Sequence, residues 1–179
     1  MDAHNPQPVM ADLPVSRVQP SRPFSKVEID YAGPLKIREM GLRKSRELKV
    51  YIAVFVCMSM KAVHLELVSN LSTDAFLAAL DRFMSQRGLP SDIFSDFVGT
   101  SKELYKLVHL LKSQELLAKA KACDWHFNPP SAPHFGGFWE AAMRSTKLLL
   151  SRTIGAHLVT IEEISTFVCR VEAVLNSRP

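Results

Sequence analysis

A chain of 179 residues suits one domain with room for a sizeable core, and an apolar content of 47% with 22% charged residues is that of a globular protein, which excludes a disordered chain. The formal net charge of +4 permits an anionic partner without demanding one. The longest apolar run, Val50 to Met60, is too short to cross a bilayer, and no basic segment leads into an apolar one at the start, so neither a membrane partner nor a secretory leader is expected.

Residues 1–23 hold five prolines (Pro6, Pro8, Pro14, Pro20 and Pro23) and no hydrophobic period, which reads as an extended arm or linker. From residue 24 to 179 the pattern is that of a folded domain. Three strands are predicted first. VEIDYAG alternates, LKVYIAVFVCM is nearly continuous apolar as a central strand should be, and AVHLELV alternates again. A helix follows over 72–87. Ser72 or Thr73 caps it, Asp74 suits its positive end, and Ala75, Phe76, Ala79, Leu80 and Phe83 share one face. Gly88 and Pro90 end it.

A short strand around DIFSD, a helix over roughly 100–120 and a strand at DWHFN come next. Two helices complete the chain. One runs from about Gly137 to Arg152, and the other opens with the capping box Thr160-Ile161-Glu162-Glu163 and carries Ile161, Ile164, Val168, Val171 and Leu175 at helical spacing. Three strands followed by alternating helices and strands predict an α/β domain with a mixed sheet of about five strands flanked by helices. Trp125 and Trp139 are expected in the core, His64 half-buried on its strand, and Asp92 in a solvated loop. Cys57, Cys123 and Cys169 form no Cys-x-x-Cys pair, which fits a reducing compartment better than a disulfide framework or a zinc site.

Three carboxylates stand where a two-metal site could use them: Asp30 within the first strand, Asp96 at the end of the later one, and Glu140 near the start of a helix. Two divalent cations about 3.5–4 Å apart can activate an attacking oxygen and stabilise a leaving one, and magnesium is content with a few hard oxygen ligands. Each residue also has a bland reading. Asp30 precedes a Gly-Pro pair and suits turn chemistry, Asp96 could cap a helix, and Glu140 is favoured by a helix dipole.

The blocks IDYAGP, KAVHLELVSNLSTDAFLAALDRFMSQRGLPSDIFSD, PPSAPHFGGFWEAAM and VEAVLNSRP resemble the integrase catalytic core of retrotransposons of the Pao/BEL type, over about residues 20–179. The resemblance implies a ribonuclease H-like fold and a DDE-type site with Asp30, Asp96 and Glu140 as catalytic metal ligands. It implies magnesium or manganese as the cofactor, DNA as substrate and target, a homodimer, and a nuclear place of work. It further implies 3′-end processing of element DNA by water, then attack of the freed 3′-hydroxyl on a target strand.

In that frame Arg144 and Lys147, four and seven positions after Glu140, are expected to meet DNA phosphates, with a solvated basic face as the plain alternative. His134 could touch phosphate or metal-bound water, or serve its loop only. Gly136-Gly137 reads as a flexible entry to the helix or an ordinary first turn.

The sequence departs from the family at one point. After the second aspartate the family carries an Asn-Gly turn, whereas here Asp96-Phe97-Val98-Gly99 follow as though four residues were missing. A short strand-to-helix loop is compatible with the fold, but metal ligands must be placed to about half an ångström. No Cys/His zinc segment precedes the core and the chain ends at LNSRP, which reads as a fragment of a larger polyprotein or a decayed copy. An active DDE polynucleotidyl transferase is therefore set against an inactive integrase-derived nucleic-acid-binding or partner-binding module. An unrelated nuclease of ribonuclease H-like fold would use the same carboxylates but leaves PHFGGFWE unexplained.

Overall fold

The computed structural model of the chain describes residues 21–39, 46–95, 122–127, 137–154 and 158–177, with backbone only for residues 127 and 137–140. The strands are β1 (Lys26–Arg38), β2 (Glu47–Cys57), β3 (Val63–Val68), β4 (Asp92–Ser95), β5 (Asp124–Phe127) and the two-residue β6 (Val159–Thr160). The helices among these residues are α1 (Thr73–Arg87), α2 (Gly137–Ile154) and α3 (Ile161–Asn176). The predicted helix over 100–120 lies outside the described residues.

The sheet runs β3-β2-β1-β4-β5, with β6 added beside the far end of β1. β1, β2 and β3 pair antiparallel, while β4 and β6 lie parallel to β1 and β5 parallel to β4. This is the mixed α/β sheet of the ribonuclease H-like fold, one strand larger than expected because two residues at Val159 carry too little pattern to announce a strand.

β2 is central and apolar on both faces, which its position demands. On one face Ile52, Val54 and Val56 pack with Met143, Leu150 and Ile154 of α2 and Ile164, Val168 and Val171 of α3. On the other face Ala53, Phe55 and Cys57 pack with Phe76, Leu80 and Phe83 of α1, and the Phe55 and Phe83 rings stack with centroids 4.4 Å apart. Helix α1 is capped by Ser72, whose hydroxyl accepts from the Ala75 N–H, and it buries Leu77 and Met84 beside the expected stripe while Ala75 is half-buried. The capping box of α3 is present in both directions between Thr160 and Glu163. Ile161, expected on its core stripe, is 45% exposed, since the first residue of α3 lies at the rim of the sheet.

Three local expectations need correction. IDYAGP does not end its strand. β1 continues through Gly33 and Pro34 to Arg38, and the pairing with β2 merely shifts register between Ala32 and Leu35. Gly33 has φ +128°, and a Cβ there would come within 3.2 Å of both the Tyr51 ring and the Val50 carbonyl oxygen, so this irregular step needs glycine. Asp92 is no loop residue. It opens β4 and bonds His126 of β5 at 2.9 Å. His64 is buried rather than half-buried, at 3% exposure, between two carboxylates. Trp125 is half-buried against the α1-side cluster, and Trp139 lies among the residues described by backbone only.

Candidate active site

Asp30 sits in the middle of β1, opposite Val54 of β2. Alternation places it on the same face as Ala32, which packs in the α2–α3 core. Its carboxylate is not sealed in that core. The side chain keeps 37% exposure, and Oδ1 accepts the Tyr31 N–H at 2.7 Å. Oδ2 accepts from Nζ of Lys147 at 3.1 Å. The sheet therefore fixes the strand while the carboxylate remains open to solvent.

Lys147 reaches Asp30 because of how α2 is seated. Met143, Thr146, Leu150 and Ile154 form its buried stripe, and the Thr146 hydroxyl donates to the Ala142 carbonyl. Arg144 and Lys147 flank that stripe and are exposed. Of the two predicted phosphate-binding cations, Lys147 thus stands at Asp30. Arg144 presents its charge to solvent one turn earlier.

β4 brings a second segment to the same place. Ser95, the residue directly before Asp96 in sequence, is opposite Ile29, the residue directly before Asp30. Asp96 and His134 themselves lie outside the described residues. Glu140 occupies α2 two turns before Lys147, with its side chain outside the described residues. Among the described residues no group of three or more His, Cys, Asp or Glu could hold a metal ion. The one described carboxylate of the three is a hard oxygen donor, anchored on a strand and reachable from solvent, which fits magnesium or manganese.

Burial, with the charges of Asp124 and Asp92 adding to it, pushes the Cys123 thiol up to about 11, which disfavours its thiolate form. No described helix is long and apolar enough to cross a membrane.

A cluster that the sequence reading missed lies at the β3 edge of the sheet. His64 and Glu66 of β3 meet Glu172 of α3 and Arg82 and Arg87 of α1. The signal was His64-Leu65-Glu66, two polar residues at alternate positions of an apolar strand, hence on one face.

No family model and no curated protein matches this sequence. Solved structures do match it in fold. The simian T-cell lymphotropic virus intasome, solved in complex with PP2A regulatory subunit B56 gamma, contains a chain that is 16% identical with a TM-score of 0.56. The match covers 98% of the present chain and 61% of that one, so this chain spans under two thirds of that relative. The catalytic core domain of BIV integrase is 15% identical with a TM-score of 0.55, covering 87% of this chain and 86% of its own. The HTLV-2 integrase catalytic core domain, solved with magnesium in a dimeric form, is 14% identical with a TM-score of 0.53, covering 88% and 89%. The described architecture is that of the retroviral integrase catalytic cores.

Proposed function

We propose that this chain is the catalytic core of an integrase, of the Pao/BEL retrotransposon type, that joins DNA by phosphoryl transfer at a DDE-type site. The observation that carries the reading is Asp30, held mid-strand in a ribonuclease H-like sheet, open to solvent, with the α2 ammonium of Lys147 on its carboxylate. The integrase cores of BIV and HTLV-2 share this fold, and the HTLV-2 core was solved with magnesium.

Asp30, Asp96 and Glu140 would hold two divalent cations, which supply charge stabilisation at the reacting phosphate when bound. The protein's own part is positional. β1 holds Asp30 rigid, β4 delivers the segment leading to Asp96 beside it, and α2 carries Glu140, Arg144 and Lys147 in one helix. Lys147 would exchange its contact with Asp30 for a DNA phosphate, and Arg144 and His134 would add further phosphate contacts, binding that positions DNA without reading its sequence.

In the first reaction the oxygen of water bonds to phosphorus near the DNA end, the bond to the 3′ oxygen breaks, and that oxygen takes up a proton as the new 3′-hydroxyl. In the second, the 3′-hydroxyl oxygen loses its proton and bonds to phosphorus in the target strand, whose own 3′ oxygen leaves protonated. Phosphodiester number is conserved in the second step, so no external energy source is required. The reading implies action on chromosomal DNA in the nucleus, and a pair of chains working together.

A second reading, an integrase-derived module that binds DNA or protein without catalysis, is favoured by the short connection after Asp96. The two separate in one assay. Supercoiled plasmid and a short duplex with free 3′-hydroxyls are incubated with the protein and manganese. Joined or nicked plasmid that disappears with Asp30→Asn supports the catalytic reading. Binding of the duplex without any reaction supports the module.

A further inference from the structure

Among the described residues the edge of the sheet at β3 is occupied by side chains and not by another strand. In the antiparallel pairing with β2 the even-numbered backbone groups of β3 face β2, so those of Val63, Leu65 and Leu67 point outward. Four of these outward groups are taken by side chains from two helices. Asn176 of α3 accepts from the Val63 N–H and donates to the Val63 carbonyl, each at 2.8 Å. Glu172 of α3 accepts from the Leu65 N–H at 2.9 Å. Arg82 of α1 donates to the Leu67 carbonyl at 3.0 Å. An uncovered edge strand would be a template for pairing with another chain, and these contacts remove it.

One of these side chains, Glu172, meets His64 directly, and Arg82 is tied to it through Glu66. The Nε2 of His64 lies 3.0 Å from Glu66, and its Nδ1 lies 3.4 Å from the same Glu172 that caps Leu65. Both ring nitrogens thus face carboxylates, an arrangement suited to the doubly protonated ring, in which both donate. Around it stand Glu66 from β3, Glu172 and the exposed Cys169 from α3, and Arg82 and Arg87 from α1, with the Phe55 and Phe83 rings closing the apolar side. Arg82 bonds Glu66, and Arg87 bonds Glu172. The Arg87 Nε also approaches His64 Nδ1 at 3.4 Å, a contact that favours the neutral ring. The Glu172 contact to Nδ1 is equally long, so the 3.0 Å bond from Nε2 to Glu66, with the second carboxylate on the other side of the ring, is the geometric ground for the charged form.

We propose that His64, Glu66 and Glu172, with Arg82, Arg87 and Asn176, form a pH-sensitive clasp that fastens α1 and α3 to β3 and closes this edge of the sheet to strand pairing. Loss of the proton from His64 Nδ1, the nitrogen that Arg87 Nε approaches, leaves Glu172 with one donor fewer and loosens its hold on the Leu65 N–H. The balance of forces on the ring agrees. Burial alone would lower the imidazole, but hydrogen bonds and charges from Glu172 and Glu66 raise it above its ordinary value of 6.5.

Amide hydrogen exchange resolved by residue, with intrinsic rates divided out, tests this in the wild-type chain. Protection of Leu65 is expected to fall several-fold between pH 6 and pH 9 while that of core amides in β2 stays level. His64→Gln should make Leu65 protection low and independent of pH, and Asn176→Ala should lower Val63 protection selectively. In sedimentation, Glu172→Ala combined with Asn176→Ala should associate at concentrations where the wild type does not associate further. Leu65 protection that is flat with pH in the wild type, or that keeps its pH dependence in His64→Gln, would overturn the role of His64. A folded double variant that associates no more than the wild type would overturn the closing of the edge.

Discussion

Asp30 is held by its backbone rather than by its side chain, and that separates its chemical role from stability. Its ion pair with Lys147 joins groups 37% and 49% exposed, and such pairs contribute about 0–1 kcal/mol. Asp30→Asn keeps an oxygen to accept from the Tyr31 N–H, so thermal unfolding should be almost unmoved while any cation site at Asp30 is lost. Lys147→Ala should weaken duplex binding and lower the slope of log affinity against log salt by about 0.9, the release of roughly one counterion. A slope that does not change would remove Lys147 from the phosphate-binding set. Phe83 is the opposite case. It is fully buried and stacked on Phe55, and Phe83→Ala should cost about 3–5 kcal/mol in denaturant unfolding.

At the scale of elements, local chemistry was readable and tertiary chemistry was not. The caps at Ser72 and Thr160 and the stripe of α1 could be placed from sequence because each rests on contacts within a few residues. Thr160→Ala should accordingly lower stability by about 1 kcal/mol, visible as a lower melting temperature. The run of β1 past Gly33-Pro34 could not be placed that way, because those residues are turn formers and only pairing with β2 and β6 keeps the strand going. His64 was misjudged for a related reason. An alternating strand implies one wet face, but α1 covers that face, and Glu172 of α3 joins it at the strand's outer edge, so that the charges make burial of the imidazole tolerable. The candidate site was legible only as spacing plus resemblance. What the sequence could not show is that Lys147, not Arg144, is the cation that meets Asp30, since this depends on how α2 is rotated on the sheet.

For the whole molecule, the clasp makes stability depend on pH from both sides. The His64 value is raised on folding, so its contribution is full below about 6.5 and is lost as pH rises through the raised value. Burial would raise Glu66 and Glu172, but bonds from His64, with Arg82 and the Leu65 N–H, turn the net shift downward. Their contribution is present above 4.5 and lost as pH falls through the lowered values. Melting temperature should therefore peak between these limits, and His64→Gln should remove the part of the alkaline decline that begins near neutral pH, leaving the later part set by groups such as Cys123. The sheet that this clasp closes at one edge is the same one that carries Asp30 at its centre, in the fold of the retroviral integrase cores. The proposed metal-dependent site is tested most directly by calorimetric titration of manganese into the wild-type domain and Asp30→Asn. Saturable binding by the wild type that is lost in an equally folded Asp30→Asn is the predicted result. A folded wild type that binds no manganese, or binding that Asp30→Asn leaves unchanged, would contradict it.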